Sequence, residues 1–419
     1  MTKQVITDRR TLTNIILSLT FSRLIINITR RFPYAFLPTI ARQFGVPLSA
    51  AQNVMAVQAG VGAASPLFGS LSERYGRKRV IIAMLILLVA ASILGVILPT
   101  FSIFAIVMIV YGISKMIFDP AVQAYIGDRV SYKRRGMAMG FVEFSWAGAL
   151  LISAPLTGVL LSLSVLQVPD NFLDSSFGFI PTFTWQPTGI QAVFLALTVL
   201  GILASIIVWQ FVPADAPAKN APLNIITPMD TLRLMRGNPA AVGAILSAFL
   251  LSTANEIFFI NYGVWMESSF NLALTALGTV TIVIAAAEIG GEVSVIGLSD
   301  RFGKPPMALS GGIGSTHCYI LLPTLNFSLV AALIILFIMF LFVEIGIVAA
   351  IPLFSEIMPE ARAVMMSGVM GAAAGGRLTG ALLGSIIYEL SGNFFIIGIV
   401  STVIGATSVF MLWRYVPES

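Results

Sequence analysis

Eleven charged residues interrupt the long apolar runs of this 419-residue chain. Five are cations: Arg23, Arg30, Arg31, Lys115 and Arg377. Six are acids: Asp119, Glu143, Glu256, Glu288, Glu292 and Glu344. An ionised side chain in hydrocarbon costs about 2.5–3.5 kcal/mol on insertion scales, so each needs a partner, a wet cavity or a task. Glu288 and Glu292 are four residues apart and therefore neighbours on one helix face. Two carboxylates so close in a low dielectric rarely both ionise, and an acid that holds its proton near neutrality is what proton carriage requires. The competing reading is that each finds its own cation, with Arg377 the first choice. Glu256 beside Asn255, Glu344, and Glu143 near Trp146 are the remaining proton-coupling candidates.

The cations have a pattern of their own. Arg23, Asn27, Arg30 and Tyr34 follow an i, i+4, i+7, i+11 spacing, which puts a polar, cationic stripe on one face of a helix. Arg23 lies deep in its run, and a carboxylate partner is expected for it ahead of a substrate. Arg30 and Arg31 come later, where a side chain can instead snorkel to the lipid interface. Lys115 and Asp119 are an i, i+4 pair of opposite charge, expected to be structural, followed at once by Pro120. Together with Asn255 and Arg377 these residues form the expected substrate cavity. A histidine alone in its span, His317, is expected to serve packing. With one histidine and one cysteine there is no HExxH zinc site and no Cys–His dyad; Asp119 is the only aspartate within a run, and no Walker loop is present. The chain is read as a non-enzyme with no metal and no cofactor.

The elements that must hold these charges are membrane helices. The chain is 57% hydrophobic and 10% charged, where a soluble domain carries about 25% charge. That excludes a soluble enzyme, a nucleic-acid binder and a disulfide-built secreted domain. Runs such as Val80 to Leu98 and Val193 to Trp209 are too long and continuous for barrel strands. The reading is an all-α membrane protein with twelve spans, at 13–40, 48–70, 79–98, 101–127, 136–164, 189–212, 240–266, 273–297, 306–325, 327–354, 362–390 and 394–414. The first run contains Arg23 and lacks a small-residue cleavage site, so it is read as a span and not as a cleavable signal. Eighteen of the 24 Lys and Arg residues fall on one side of this arrangement and only Arg42 on the other, which places both termini in the cytoplasm. Spans 3, 6, 9 and 12 are free of Asp, Glu, Lys and Arg in their interiors. A polar, proline-rich stretch at 213–238 separates residues 1–212 from 239–419, six spans each. The aromatic-rich segment 166–187 is expected to lie at the lipid interface.

A repeat connects the two sets. Leu71-Ser72-Glu73-Arg74-Tyr75-Gly76-Arg77 aligns without a gap on Leu298-Ser299-Asp300-Arg301-Phe302-Gly303-Lys304, 227 positions later, and the same offset carries Arg135 onto Arg362. Parallel repeats of this kind are a transporter architecture. The stretch Gly69 to Lys78 resembles the signature loop of the major facilitator superfamily, G-x-L-a-D-R-x-G-R-K, with Glu73 where the family usually has Asp. The resemblance covers essentially the whole chain. It implies two pseudo-symmetric six-helix bundles, with spans 3, 6, 9 and 12 facing lipid. It also implies loops around Gly69, Glu73, Arg74, Gly76, Arg77, Asp300, Arg301 and Gly303 that hold helix ends together in one conformation. Two family patterns are departed from: only Pro155 and Gly158 remain of the antiporter pattern, and Met108 replaces the family arginine of span 4.

The expected function is secondary active transport of a small solute by alternating access, coupled to protons, in the direction of export. The expected setting is the bacterial inner membrane, with the bilayer as the surroundings of a monomer. A lipid or lipid-linked substrate is the alternative within transporters. A non-transporting scaffold or sensor is the alternative outside them. Cations prevail in the first set of spans and acids in the second, which suits an anionic or zwitterionic solute at least as well as a neutral one.

Overall fold

The computed structural model describes residues 8–64, 68, 71–163, 189–215 and 237–416, apart from the side chains at 132, 133, 135, 136, 300 and 363. The aromatic-rich segment 166–187, Gly69, the Arg135 and Asp300 side chains and most of the 213–238 stretch lie outside the described residues.

All regular structure among the described residues is helical. The long segments are α1 (Arg9–Phe44), α3 (Arg77–Ile97), α4 (Phe101–Arg129), α5 (Met137–Leu163), α6 (Gly189–Phe211), α7 (Pro239–Phe270), α8 (Leu274–Ser299), α10 (Leu329–Glu356) and α12 (Phe394–Tyr415). These nine are long and apolar enough to cross a membrane. The places of the other three expected spans are taken by α2 (Leu48–Val61), α9 (Lys304–Leu321) and α11 (Arg362–Ser391).

Helix starts follow the residues. Asp8 accepts hydrogen bonds from Arg10 N and Thr11 N, Thr100 caps α4, Asn238 caps α7 ahead of Pro239, Ser328 caps α10 and Asn393 caps α12. Each side chain satisfies N–H groups that have no partner within the helix. Interruptions are local. α1 passes through a turn and a 3₁₀ segment at Tyr34–Phe36 before resuming, because Pro33 cannot donate to the helix ladder. α5 lies within an end-to-end pair of helices, Tyr132–Glu143 and Ser145–Leu163, broken at Phe144. α9 ends in a 3₁₀ turn, Leu322–Leu325.

The repeat has a backbone signature. Gly76 has φ 92° and ψ 132°, and Gly303 has φ 84° and ψ 152°. Both occupy a region that side chains with a Cβ avoid, and both open the helix that follows. The two loops therefore share a conformation as well as a sequence.

The first six helices and the second six meet along α2–α11 and α5–α8 and where the later part of α1 touches the end of α7. Much of this contact lies at the end remote from Gly76 and Gly303. There Arg42 pairs with Glu267 at 2.7 Å, and Gln52 donates to Asn261 Oδ1 at 2.9 Å and to Ile260 O at 3.1 Å. The helices come close: a Cβ on Gly158 would stand 2.5 Å from Leu274 O. Gly376, Gly380 and Gly384 of α11 likewise lie against the backbone of α7, as small residues do at tight membrane crossings.

Candidate functional site

α1 carries the most polar connections in the interior, and its successive turns serve two different clusters. The deeper cluster joins α1, α4 and α5. Arg23, 6% exposed, meets Asp119 at 3.2 Å and Glu143 at 2.8 Å and donates to Val142 O. Lys115 holds the other Asp119 oxygen at 2.7 Å and donates to Asn27 Oδ1 at 2.5 Å. Asn27 in turn donates to Ser145 Oγ. Two cations and two acids are thus bound into one network with the expected i, i+4 pair at its centre. Arg23 has the carboxylate partners that its depth demands.

The second cluster lies further along α1 and reaches α8. Arg31, 3% exposed, forms a bidentate pair with Glu288, each nitrogen 2.6 Å from its oxygen. Its guanidinium also donates to Trp146 O and stands 4.4 Å over the Trp146 ring. This corrects the snorkelling alternative for Arg31: the side chain is buried in a fork geometry that a planar guanidinium provides and an ammonium does not. Glu288 finds its cation in Arg31, not in Arg377. Trp146 also has Lys115 at 5.5 Å and Arg30 at 5.8 Å, so one ring faces three cations.

One turn beyond, Tyr34 donates to Glu256 Oε1 at 2.6 Å while its ring stacks on Phe259 at 4.5 Å. Glu292 and the buried Glu344 have no ion pair within 4 Å among the described residues, although Glu288, Glu292 and Glu344 are electrostatic neighbours. A cavity of about 80 Å³ opens between α1, α5, α7, α8, α10 and α11. Its charged lining is Arg30, Arg31, Arg377, Glu256, Glu288 and Glu344, with Tyr34 and Asn255; its apolar lining includes Phe259, Phe340 and Ile347. Helices 3, 6, 9 and 12 contribute nothing to it, in keeping with their uncharged interiors.

Of the sequence candidates, Arg30, Tyr34, Asn255, Glu256, Glu288, Glu344 and Arg377 line the cavity. Arg23, Asn27, Lys115, Asp119 and Glu143 belong to the adjoining network, and Glu292 is at its margin. Arg31 is the functional residue missing from the predicted stripe. On a helix turning about 100° per residue it is rotated about 80° from Arg23, whereas Arg30 is within about 20°. The shared flank that Arg31 presents to α8 is detectable only when the face is drawn wide. His317 bonds its own helix at Ile313 O but is exposed on the helix surface, so the expected packing role is not what the structure shows.

The signature loop is also organised, with a different acid from the one expected. Arg77 binds Asp128 of α4 at 2.6 Å and Glu73 only at 3.7 Å. Asp215, just past α6, accepts from Arg77 N at 2.6 Å and Lys78 N at 3.0 Å, so it caps α3. Tyr125 and Arg129 of α4 donate to Pro213 O and Ala214 O. Arg74 and Arg301 each lie over the aromatic residue that follows, Tyr75 and Phe302.

Comparison with known proteins agrees with this architecture. The family model described as Major Facilitator Superfamily matches residues 19–343. An uncharacterised MFS-type transporter of Bacillus subtilis, YceJ, is 22% identical over 85% of both chains. A probable sugar efflux transporter of Pasteurella multocida is 26% identical over 61% of this chain and 57% of its own. Among solved structures, a bacterial homologue of the human lysosomal transporter Spinster, inward-facing and occupied, has a TM-score of 0.72 with 16% identity, over 97% of this chain and 98% of that one. A cavity walled by the charged helices of a duplicated bundle, a repeated loop with one backbone geometry and a family match across most of the sequence agree: this chain belongs to the major facilitator superfamily.

Proposed function

We propose that the protein is a proton-coupled secondary transporter that exports a small solute by alternating access of two six-helix halves, residues 1–212 and 239–419. The observation that carries the coupling is the unequal pairing around Arg31. Three acids of the second half, Glu288, Glu292 and Glu344, are electrostatic neighbours, and the one ion-pair partner they have within 4 Å among the described residues, Arg31, belongs to the first half and binds Glu288. An acid without a counter-charge in a low dielectric is poised to carry a proton. Glu344, at the cavity wall, is the assigned carrier, with Glu292 beside it. The Arg31–Glu288 pair spans the two halves, so moving them apart must break or hand over that pair. Glu256, held by Tyr34, and Glu143, held by Arg23, are better suited to positioning. The signature loops tie helix ends on the cytoplasmic side, where Lys and Arg accumulate, and both termini are cytoplasmic. The bilayer is the bacterial inner membrane and the unit is a monomer. The relative named for sugar efflux favours the export direction.

The test is transport in reconstituted vesicles with an imposed pH gradient. Glu344→Gln is expected to abolish gradient-driven accumulation while leaving exchange of substrate across the membrane. If Glu344→Gln and Glu292→Gln both accumulate substrate like the unmodified protein, the coupling assignment fails.

A further inference from the structure

Within the cavity, one arrangement has no internal counterpart. Arg30 and Arg377 both line it and are close enough to repel one another. Neither has a carboxylate within 4 Å among the described residues. Glu256 is the acid nearest in effect to both, but its Oε1 already accepts from Tyr34, and one carboxylate cannot neutralise two guanidiniums. The Nε of Arg377 is buried with no hydrogen-bond partner, and so is Asn255 Oδ1 in the same wall. A half-turn of that amide presents its NH₂ group instead. Arginine stays charged at any accessible pH, so the wall of the cavity carries two neighbouring cations in a low dielectric. That arrangement is costly in the empty protein and favourable once an anion sits between them.

The rest of the wall gives the shape of the occupant. Leu251 lies about a turn of α7 before Asn255 and Glu256, and Ile347 lies further along α10 than Val343 and Phe340. Both displacements run toward the end that carries Gly76 and Gly303. We infer that the transported solute is an organic anion whose carboxylate binds between Arg30 and Arg377, with an apolar body extending along Leu251, Val343 and Ile347. This rests on the transporter reading and names the chemistry of its substrate; it makes no use of the proton site. Guanidinium forks suit a carboxylate because two parallel N–H groups meet two oxygens.

The experiment is thermal unfolding of the purified full chain in detergent, without a gradient. The probes are phenylacetate, decanoate, neutral phenylacetamide and cationic phenethylammonium. Phenylacetate or decanoate should raise the unfolding temperature in a saturable way, and the neutral and cationic analogues should not. Stabilisation by phenylacetate identifies a small soluble anion, and by decanoate alone a lipid-like one. Arg377→Gln and Arg30→Gln should each weaken the apparent affinity for the anion about tenfold or more. Each should also leave the ligand-free protein at least as stable as the unmodified chain, by a gain of about 2 °C, since one of two repelling charges is gone. The inference is overturned if neither anion stabilises, if the neutral or cationic probe stabilises as well, or if both variants unfold several degrees lower without ligand. Because no gradient is involved, such a failure leaves proton coupling standing, and a failure of coupling at Glu344 leaves anion binding standing.

Discussion

The network around Asp119 and the group around Glu344 are built from the same residue types and pair them differently. In the first, Arg23, Lys115, Asp119 and Glu143 each have an oppositely charged partner within 3.2 Å, and all four come from the first six helices. In the second, Arg31 serves Glu288, while Glu292 and Glu344 have no cation within 4 Å among the described residues. Arg30 and Arg377 nearby have no acid within 4 Å among the described residues. A closed set of buried pairs fixes three helices relative to one another. An open set leaves charges that a proton, a solute or a movement must satisfy. On the proposed function, the difference separates the part of the interior that holds shape from the part that changes state.

The largest expected effect tests the buried pair that joins the first six helices to the second. Removing the charge of Arg31 leaves Glu288 buried with no cation, a loss of about 3–5 kcal/mol. Arg31→Gln should therefore lower the unfolding temperature or the yield of folded protein more than any other single change discussed here. Arg31→Lys should recover only part, because the ammonium cannot bind both oxygens in the plane of the fork. Near-normal stability of Arg31→Gln would mean that Glu288 is neutral in the resting protein, and the contrast between the clusters would dissolve.

A smaller loss is expected at Arg23. Arg23→Gln deprives Asp119 of one partner but leaves Lys115 2.7 Å away, and Glu143, half exposed, is not sealed in the interior. The expected cost is about 1.5–3 kcal/mol, from lost hydrogen bonds to charged groups. The double exchange Lys115→Asp with Asp119→Lys should fold better than Lys115→Asp alone, which sets two acids one turn apart. If Arg23→Gln costs as much as Arg31→Gln, closure of the first network provides no redundancy.

Much of this contrast was readable before any fold was known. The eleven interrupting charges, the uncharged spans 3, 6, 9 and 12 and the i, i+4 spacing of Lys115 and Asp119 are one-dimensional patterns, and helices convert them directly into faces. The repeat was readable for the same reason, because Gly76 and Gly303 mark a backbone requirement. Partnership across helices was not readable. Whether Glu288 meets Arg31 or Arg377 depends on the rotation of α1 past the Pro33 turn and on which face of α8 it meets. Likewise, Asp128 and not Glu73 holds Arg77 most closely, and Asp215 caps α3 from a stretch that resembles a plain linker in sequence. Contacts of this kind join residues about 50 to 260 apart, and no local period encodes them.

Next in size is the functional arm of the comparison. Glu344→Gln removes a proton site from a residue with no ion-pair partner, so stability should change little. Gradient-driven accumulation should fall about tenfold or more, the equivalent of about 1.4 kcal/mol in the coupled step. Vesicle accumulation and unfolding temperature measured on the same preparation separate the two effects. A variant that loses stability in proportion to transport would place Glu344 with the structural charges.

The last comparison, which ends on the smallest effects, concerns the two loops and extends from side chains to backbone. Gly76→Ala places a Cβ 3.6 Å from Asp215 Oδ1, and Gly303→Ala places one 3.5 Å from Pro306 Cδ, ordinary contact distances in both cases. The cost is therefore conformational, from holding alanine at positive φ with extended ψ, and should be about 1–3 kcal/mol at each site. Equal costs are expected from the shared geometry even though the surroundings differ: Arg77 is fastened to Asp128 at one loop, while Lys304 has no ion pair among the described residues at the other. Side-chain changes should then split where backbone changes do not. Arg77→Gln should lose about 1 kcal/mol and Lys304→Gln less, since Lys304 is exposed and an exposed charge contributes little. Thermal unfolding of all four variants decides the matter. If Gly303→Ala is silent while Gly76→Ala is costly, the second loop can relax to another conformation, and the duplication survives in sequence but not in mechanics.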